Sequence, residues 1–373
     1  MEIRNQKLRT ARMLKSIFLL GAVVLSPLFA ELSLEKKIGQ MLMVGFHGTS
    51  APASSQICKD IKRYNLGSVI LFDYNPVNKS KPKNIATKGQ LKSLTKQLQA
   101  CSSDGKLLIA VDQEGGKVQR LKSKYGFYGK FPKASDVVKM NQSQIKSTYR
   151  KMSAELHSVG INYDLAPVVD LNINPKNHVI CGLGRSFGKS PKTVAKYASV
   201  FIDAMHSNGV LTSIKHFPGH GSSVGDTHKG FVDVTNLWKE VELEPYRLLK
   251  DKADTVMVAH VFNKKIDAKY PASLSYKTIT KLLRWKLGYH GVVITDDLQM
   301  GAISKKYGLK NTLKLAINAG DDILLIGNQL DPRKVKSTKV LVDTIVKLVK
   351  SGEVKEESIN NAYVRIQKLK KKL

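Results

Sequence analysis

Gly291-Val292-Val293-Ile294-Thr295-Asp296-Asp297-Leu298-Gln299-Met300 is a short β-branched run that ends abruptly in two carboxylates. Branched side chains fit the pleated surface of a buried strand, and a run of four to six such residues is too short for a helix. Outward from this stretch the same unit recurs. Apolar runs at 39–44, 68–72, 107–111, 163–169, 210–214, 255–261 and 322–326 bring the count of expected strands to eight. Between them lie stretches with helical apolar spacing at 90–100, 144–159, 191–206, 275–287 and 309–318, several of them stopped by glycine. Strands that alternate with helices must pair in parallel, because a crossover helix returns the chain to the same end of the sheet. Eight such units in about 340 residues fit an α/β fold of the single TIM (β/α)8 barrel type; a doubly wound open sheet is the structural alternative. Residues 332–373 read as the last barrel helix plus a basic C-terminal helix with no further strand, so 31–373 is expected to form one domain.

A barrel of this kind places its chemistry where strands end, because the eight βα loops converge over one face. The polar residues follow that rule. Run 107–111 ends in Asp112-Gln113-Glu114-Gly115-Gly116, run 163–169 in Asp170, run 210–214 in Lys215-His216, run 255–261 holds His260, and run 291–295 ends in Asp296-Asp297. A lone carboxylate at a strand end is commonly an Asx turn or a helix cap. Five strand ends converging on one rim point instead to a site.

The loop after the fifth run reads Lys215-His216-Phe217-Pro218-Gly219-His220-Gly221 and continues to Asp226-Thr227-His228. Its glycines and proline exclude a helix. Asp226 and His228, two residues apart, can hydrogen-bond in a turn, and the carboxylate then fixes the tautomer of the imidazole and raises its basicity. Asp296 should project onto the barrel mouth, where a carboxylate can attack a sugar carbon. Retaining glycosidases pair one carboxylate nucleophile with one acid/base; a histidine would replace the second carboxyl here. The spacing of His216, His220, Asp226 and His228 lacks the metal-protease helix pattern, so no metal and no cofactor is expected. A neutral histidine would repel an incoming phosphate less than a carboxylate would, which leaves phosphorolysis open as an alternative. Lys215 at a strand end also leaves open a Schiff-base aldolase.

At this point the residues become recognisable. Lys215 to His228 and Gly291 to Met300 closely resemble the two signature segments of family 3 β-N-acetylglucosaminidases. The similarity extends to Val111 through Arg120, Leu165 through Asp170 and Gly184-Arg185-Ser186-Phe187-Gly188. The resemblance implies Asp296 as nucleophile, a His228/Asp226 acid/base dyad, and Asp112, Arg120, Arg185, Lys215 and His216 as the groups that hold the sugar hydroxyls. It implies removal of terminal β-linked N-acetylglucosamine from peptidoglycan or chitin fragments, with a β-glucosidase-like activity or a non-catalytic wall-glycan-binding barrel as alternatives. The chain departs from the family at Thr227, where serine is common, and in its N-terminus.

That N-terminus carries Arg4, Lys7, Arg9, Arg12 and Lys15, then an apolar run to Leu25, then Ser26-Pro27-Leu28-Phe29-Ala30. This is the layout of a signal peptide cleaved after Ala30, and the apolar core is short for a membrane span of about 20 residues. The expected product is exported, periplasmic or secreted, with no stable membrane span. Removing residues 1–30 leaves a net charge of +27 from the +31 of the 373-residue chain. Such a field favours acidic polymers, and export argues for wall glycans and against nucleic acid. The lysines are scattered apart from Lys368, Lys370, Lys371 and Lys372, and the simplest reading of them is a solvated surface. Cys58, Cys101 and Cys181 have no metal-type spacing, and Cys58 and Cys101 are expected near opposite ends of neighbouring helices, unpaired.

Overall fold

The computed structural model describes residues 32–373; the segment read as a signal peptide lies outside them. Eight parallel strands, β1 (Leu42–Gly45), β2 (Ser68–Ile70), β3 (Leu108–Val111), β4 (Tyr163–Asp164), β5 (Leu211–Phe217), β6 (Thr255–Val258), β7 (Val292–Thr295) and β8 (Leu324–Ile326), pair in the order β7-β6-β5-β4-β3-β2-β1-β8. A parallel bridge between Ile294 and Ile323 joins the two ends of that order and closes the barrel. Closure removes the exposed edges that an open parallel sheet would leave. The (β/α)8 expectation therefore holds and the open doubly wound sheet does not.

Each crossover is helical: α2 (Gln56–Tyr64), α3 (Lys88–Cys101), α4 (Gln142–Ser158), α5 (Pro191–His206), α6 (Glu244–Leu249), a π-wound helix Lys277–Lys286, α7 (Gly301–Ser304) with α8 (Leu309–Ala319), and α9 (Thr338–Lys350). Local chemistry sets where they begin. The side chains of Ser55, Thr87, Asn141 and Ser337 each accept a backbone N–H of the first turn, and Asn141 forms a reciprocal capping box with Gln144. α5 starts on Pro191, whose missing N–H costs nothing at that position.

Several boundaries differ from the sequence reading, and β5 runs on through Phe217, so Lys215-His216-Phe217, read as the start of a loop, belong to the strand. Gly39 and Gln40 belong to a helix that precedes the barrel, α1 (Leu34–Gln40), and β1 starts at Leu42. Gly39 serves close packing: a Cβ there would sit 1.8 Å from the carbonyl oxygen of Tyr64 at the end of α2. β4 is only two residues long. Backbone bonds to its neighbours run on past it, with Leu165 donating to Val111 O, Ser213 to Ala166 O and Val169 to Lys215 O, and only Pro167 has no N–H to give.

The cysteine expectation is overturned: Cys58 and Cys101 form a disulfide, with Cα atoms 5.3 Å apart. The helices are staggered rather than level. Gln90 in the first turn of α3 donates to Thr49 O, and Ala51 N donates to Gln97 near its last turn. The chain thus runs down the side of α3 before α2 begins, and the first turn of α2 meets the last turn of α3.

A last helix, α10 (Glu356–Lys370), closes the floor of the barrel: Gln367 bonds Gln40 at 2.8 Å, Arg365 pairs with Asp322 at 2.8 Å, and Lys372 pairs with Asp254 at 2.7 Å. The basic tail is therefore not a solvated surface throughout, since Lys370 is buried and Lys372 is committed to Asp254.

Asp321 is buried beside this floor, and neither carboxylate oxygen has a hydrogen-bond partner among the described residues. Burial, reinforced by neighbouring Asp322, pushes its carboxyl well above the usual range. A raised acid favours the folded state fully only below the unfolded pKa near 4, and that contribution is lost as pH rises. Asp321→Asn should accordingly stabilise the protein by roughly 1–3 kcal/mol at pH 8 and by much less at pH 4.5. Urea denaturation at the two pH values checks this; an equal effect at both would mean the carboxyl is not the strained group.

Candidate active site

The βα loops enclose a cavity of about 630 Å³ over the barrel mouth. All eight residues singled out from the sequence line it: Asp112, Arg120, Arg185, Lys215, His216, Asp226, His228 and Asp296.

A register shift in β5 places the central cation. Lys215 pairs with Met257 of β6 and Phe217 with Val258, so His216 is an extra residue in that ladder. A bulge of this kind re-aims side chains: Lys215 and His216 both line the cavity, while Phe217 packs edge-on to Tyr246 of α6. Lys215 Nζ sits 3.0 Å from Asp112 Oδ1 and 2.8 Å from Glu114 Oε1. Burial opposes its charge, but the two carboxylates outweigh burial and raise its pKa. An ammonium held this way is not the desolvated, neutral amine that a Schiff base requires.

The network spreads from there. Arg120 bonds Asp112 at 2.8 Å, and Arg185 grips Glu114 with two hydrogen bonds of 2.7 Å. Burial works against Glu114, yet Arg185 and Lys215 pull its carboxyl down to about 2. Asp112 is depressed in the same way against burial by Lys215 and Arg120. His216 Nδ1 lies 2.6 Å from Asp170 Oδ2, and Asp170 Oδ1 accepts the backbone N–H groups of His216 and His220.

Asp296 stands at the end of β7 and accepts the Asp297 N–H on Oδ1 at 2.8 Å. Burial would raise its carboxyl, but the imidazoles of His260, His216 and His228 together with that N–H lower it overall. His260 is a positioning residue: its Nε2 bonds the carbonyl of Asp297 at 2.9 Å and its Nδ1 meets Ser273 Oγ at 2.6 Å, so both nitrogens are engaged.

The dyad has a different character. Asp226 Oδ1 lies 2.8 Å from His228 Nδ1 and 3.0 Å from the His228 N–H, in a loop where His228 is 54% and Asp226 29% exposed. Two backbone bonds tie this loop to the element that follows Asp296, Gly301 N to His228 O and Ala302 N to Thr227 O, both 3.2 Å. Gly301 leaves no room for a side chain there, since a Cβ would lie 2.9 Å from the carbonyl oxygens of both His228 and Lys229.

Sequence reasoning left Glu114, Asp170, Asp297 and Lys83 out of the site. Glu114 and Asp170 stand in motifs already quoted, and only the structure reveals their partners. Burial pushes Asp297 up to about 6, while its Oδ1 accepts the N–H groups of Gln299 and Gly327. Lys83, buried and brought down to about 7 by desolvation, donates to the carbonyls of Gly327 and Asn328. Nothing in the sequence around Lys83 signals that role. Among the described residues no group of three or more His, Cys, Asp or Glu side chains is arranged to hold a metal ion.

Residues 33–369 match the family model described as Glycosyl hydrolase family 3 N terminal domain. The chain is 31% identical to Beta-hexosaminidase A of Pseudoalteromonas piscicida over 92% of its own length and 62% of that protein's. Among solved structures it is similar to a glycoside hydrolase family 3 beta-N-acetylglucosaminidase from Paenibacillus sp. str. FPU-7, at TM-score 0.81 and 33% identity, covering 91% of this chain and 62% of that one. It is also similar to a Beta-N-acetylhexosaminidase from Beutenbergia cavernae DSM 12333, at TM-score 0.80 and 30% identity, covering 92% and 99%. The chain thus spans about three fifths of the first two and nearly all of the third.

The two carboxylate environments predict opposite mutational costs. Glu114→Gln leaves buried Arg185 without its carboxylate and Lys215 with one carboxylate instead of two, and should cost about 3 kcal/mol or more, whereas Asp226→Asn removes an exposed pair worth less than about 1 kcal/mol. Because the folded pKa of Glu114 is depressed, its contribution is complete above the unfolded value near 4.3 and fades as pH falls toward about 2. Urea titrations at pH 7 and pH 3 measure both effects, and equal costs for the two variants would sink the distinction.

Proposed function

Because the chain belongs to glycosyl hydrolase family 3, we propose that it is a retaining β-N-acetylhexosaminidase that removes terminal non-reducing N-acetylglucosamine through a covalent intermediate on Asp296. The observation that carries this reading is the pairing, in one cavity, of a carboxylate held ionised by imidazoles with an exposed His228/Asp226 dyad on a loop tied to the same strand end.

The chemistry follows from the donors and acceptors. The lowered pKa of Asp226 keeps it a carboxylate, so it accepts and His228 Nδ1 carries the hydrogen between them. Burial alone would raise Asp226; the bonds from His228 reverse it. When protonated, His228 has Nε2–H free to donate. In the first half-reaction Asp296 forms a bond to the anomeric carbon as the glycosidic C–O bond breaks, and the leaving oxygen takes the Nε2 proton. In the second, His228 takes a proton from water as its oxygen displaces Asp296 from that carbon. Asp112, Glu114, Arg120, Lys215, Arg185 and His216 form a preorganised cradle for the sugar hydroxyls, acceptors and donors alternating at fixed distances.

Export of the mature chain from residue 31 belongs to the same proposal. The Cys58–Cys101 disulfide supports it, since such bonds persist in oxidising compartments. No helix among the described residues is long and apolar enough to cross a membrane. The basic composition favours anionic wall fragments over neutral chitin pieces as the natural substrate.

Hydrolysis of p-nitrophenyl β-glycosides tests the activity. The N-acetylglucosaminide should be cleaved in preference to the glucoside, Asp296→Asn should lower kcat at least about a thousandfold, and Asp226→Asn should lower it by about a hundredfold or more. Equal rates on the two glycosides would remove the hexosaminidase assignment, and an active Asp296→Asn would remove the nucleophile. Release of sugar 1-phosphate in phosphate buffer would replace hydrolysis by phosphorolysis, which the use of a histidine acid/base allows.

A further inference from the structure

A second cleft, of about 490 Å³, opens on the outer side of the barrel between the helix Lys277–Lys286 and α8. Lys277, Lys281 and Trp285 recur every four residues on that helix and so share one of its faces. Trp285 is 65% exposed and Tyr276 44%, with their rings perpendicular and their centroids 6.0 Å apart. Large aromatic surface left in water beside a cleft marks a binding face more often than a random one.

The charges of the cleft are unbalanced. Lys269, Lys277 and Lys281 line it, and none of them forms an ion pair among the described residues. The carboxylate that also lines it, Asp267, is already occupied: Oδ1 accepts the Lys269 N–H and Oδ2 accepts the Ser275 hydroxyl.

The cleft is connected to the catalytic loop by aromatic steps. Phe231, three residues beyond His228 and 53% exposed, carries the Lys306 ammonium 5.5 Å from its ring centre. The same ammonium is 5.4 Å from the Tyr307 ring, and Tyr307 is 6.4 Å from Tyr270, which lines the cleft. Phe231 belongs to the same loop as His228, so the line begins beside that histidine.

We propose that the outer cleft, together with the aromatic line that leads to it from the acid/base loop, is a holding site for an extended anionic polysaccharide, its sugar faces stacked on the rings and its carboxylates paired with the lysines. The inference rests on the glycosidase reading. Lysines and aromatic rings could also hold single-stranded nucleic acid, but continuity with a sugar-cleaving loop favours the glycan.

Affinity electrophoresis of the full chain in carboxymethyl chitin and in neutral glycol chitin tests it, with p-nitrophenyl N-acetylglucosaminide turnover measured in parallel. Tyr276→Ala/Trp285→Ala should weaken binding to both polymers by about tenfold. Lys277→Gln/Lys281→Gln should weaken binding to the carboxymethyl polymer alone. The exposed pair on α3, Lys88→Gln/Lys92→Gln, controls for the overall basic field and should change neither. Turnover of the small glycoside should be the same in all three. The proposal is overturned if both cleft variants bind like wild type, if the control pair weakens binding as much as the cleft lysines do, or if oligothymidylate binds more tightly than either glycan. A dimer that Trp285→Ala dissolves would also overturn it and assign the face to a second copy. Failure of wild type to cleave the small glycoside would count against the glycosidase reading itself, while the polymer affinities would still decide whether the cleft holds glycan.

Discussion

One ammonium group organises the barrel mouth. Lys215 is buried, and it stays charged only because Asp112 and Glu114 stand within 3.0 Å of it. Those carboxylates come from the loop after β3, and the lysine comes from β5, so their attraction sets how two separated strand ends lie across the cavity. The attraction extends outward through Arg120 and Arg185, each of which satisfies one of the two carboxylates. A cluster of this kind gains little net stability over an apolar one, because desolvation offsets most of the Coulomb term. Its value is geometric: every remaining lone pair has a fixed direction before a sugar arrives.

The sequence discloses elements and strand ends far better than it discloses contacts between distant elements. The helix 191–206 could be bounded to the residue because Pro191 and the following apolar spacing are local signals. The place of Asp296 at the barrel mouth and the contact between Asp226 and His228 are legible for the same reason, since a strand that stops on carboxylates and a two-residue Asp–His spacing are written in adjacent positions. The sequence around Glu114 does not reveal its role, because its partner Arg185 lies 71 positions away. The Cys58–Cys101 bond was misjudged on similar grounds: the two glutamine contacts that stagger α2 against α3 depend on packing, and no pattern within either helix announces them. Gly39 was read as strand because apolar neighbours surround it, whereas its place is set by the approach of the Tyr64 carbonyl.

The dyad loop departs from the rest of the mouth in being exposed, and its anchorage explains how it can still be placed. Among the described residues two backbone bonds, from Gly301 and Ala302, hold residues 227 and 228, and both donors directly follow the turn that begins at Asp296. His228 and Asp296 thereby share one structural reference even though they follow different strands. Gly301 makes that close approach possible by its lack of a side chain, and α7 supplies the donors.

The distribution of cations follows from the same chemistry. Lys215, Arg120 and Arg185 are committed to Asp112 and Glu114, while Asp296 has imidazoles as its principal favourable neighbours. A guanidinium on Asp296 would hold its electron pair and depress its basicity far enough to blunt attack on carbon, since nucleophilicity falls with pKa. Histidines keep the carboxylate ionised with a gentler pull. His260, whose Nε2 is tied to the Asp297 carbonyl, acts through position as well as field. Strong ionic bonds therefore surround Asp112 and Glu114, and weaker, neutralisable partners surround Asp296, as the proposed division between holding and reacting groups requires.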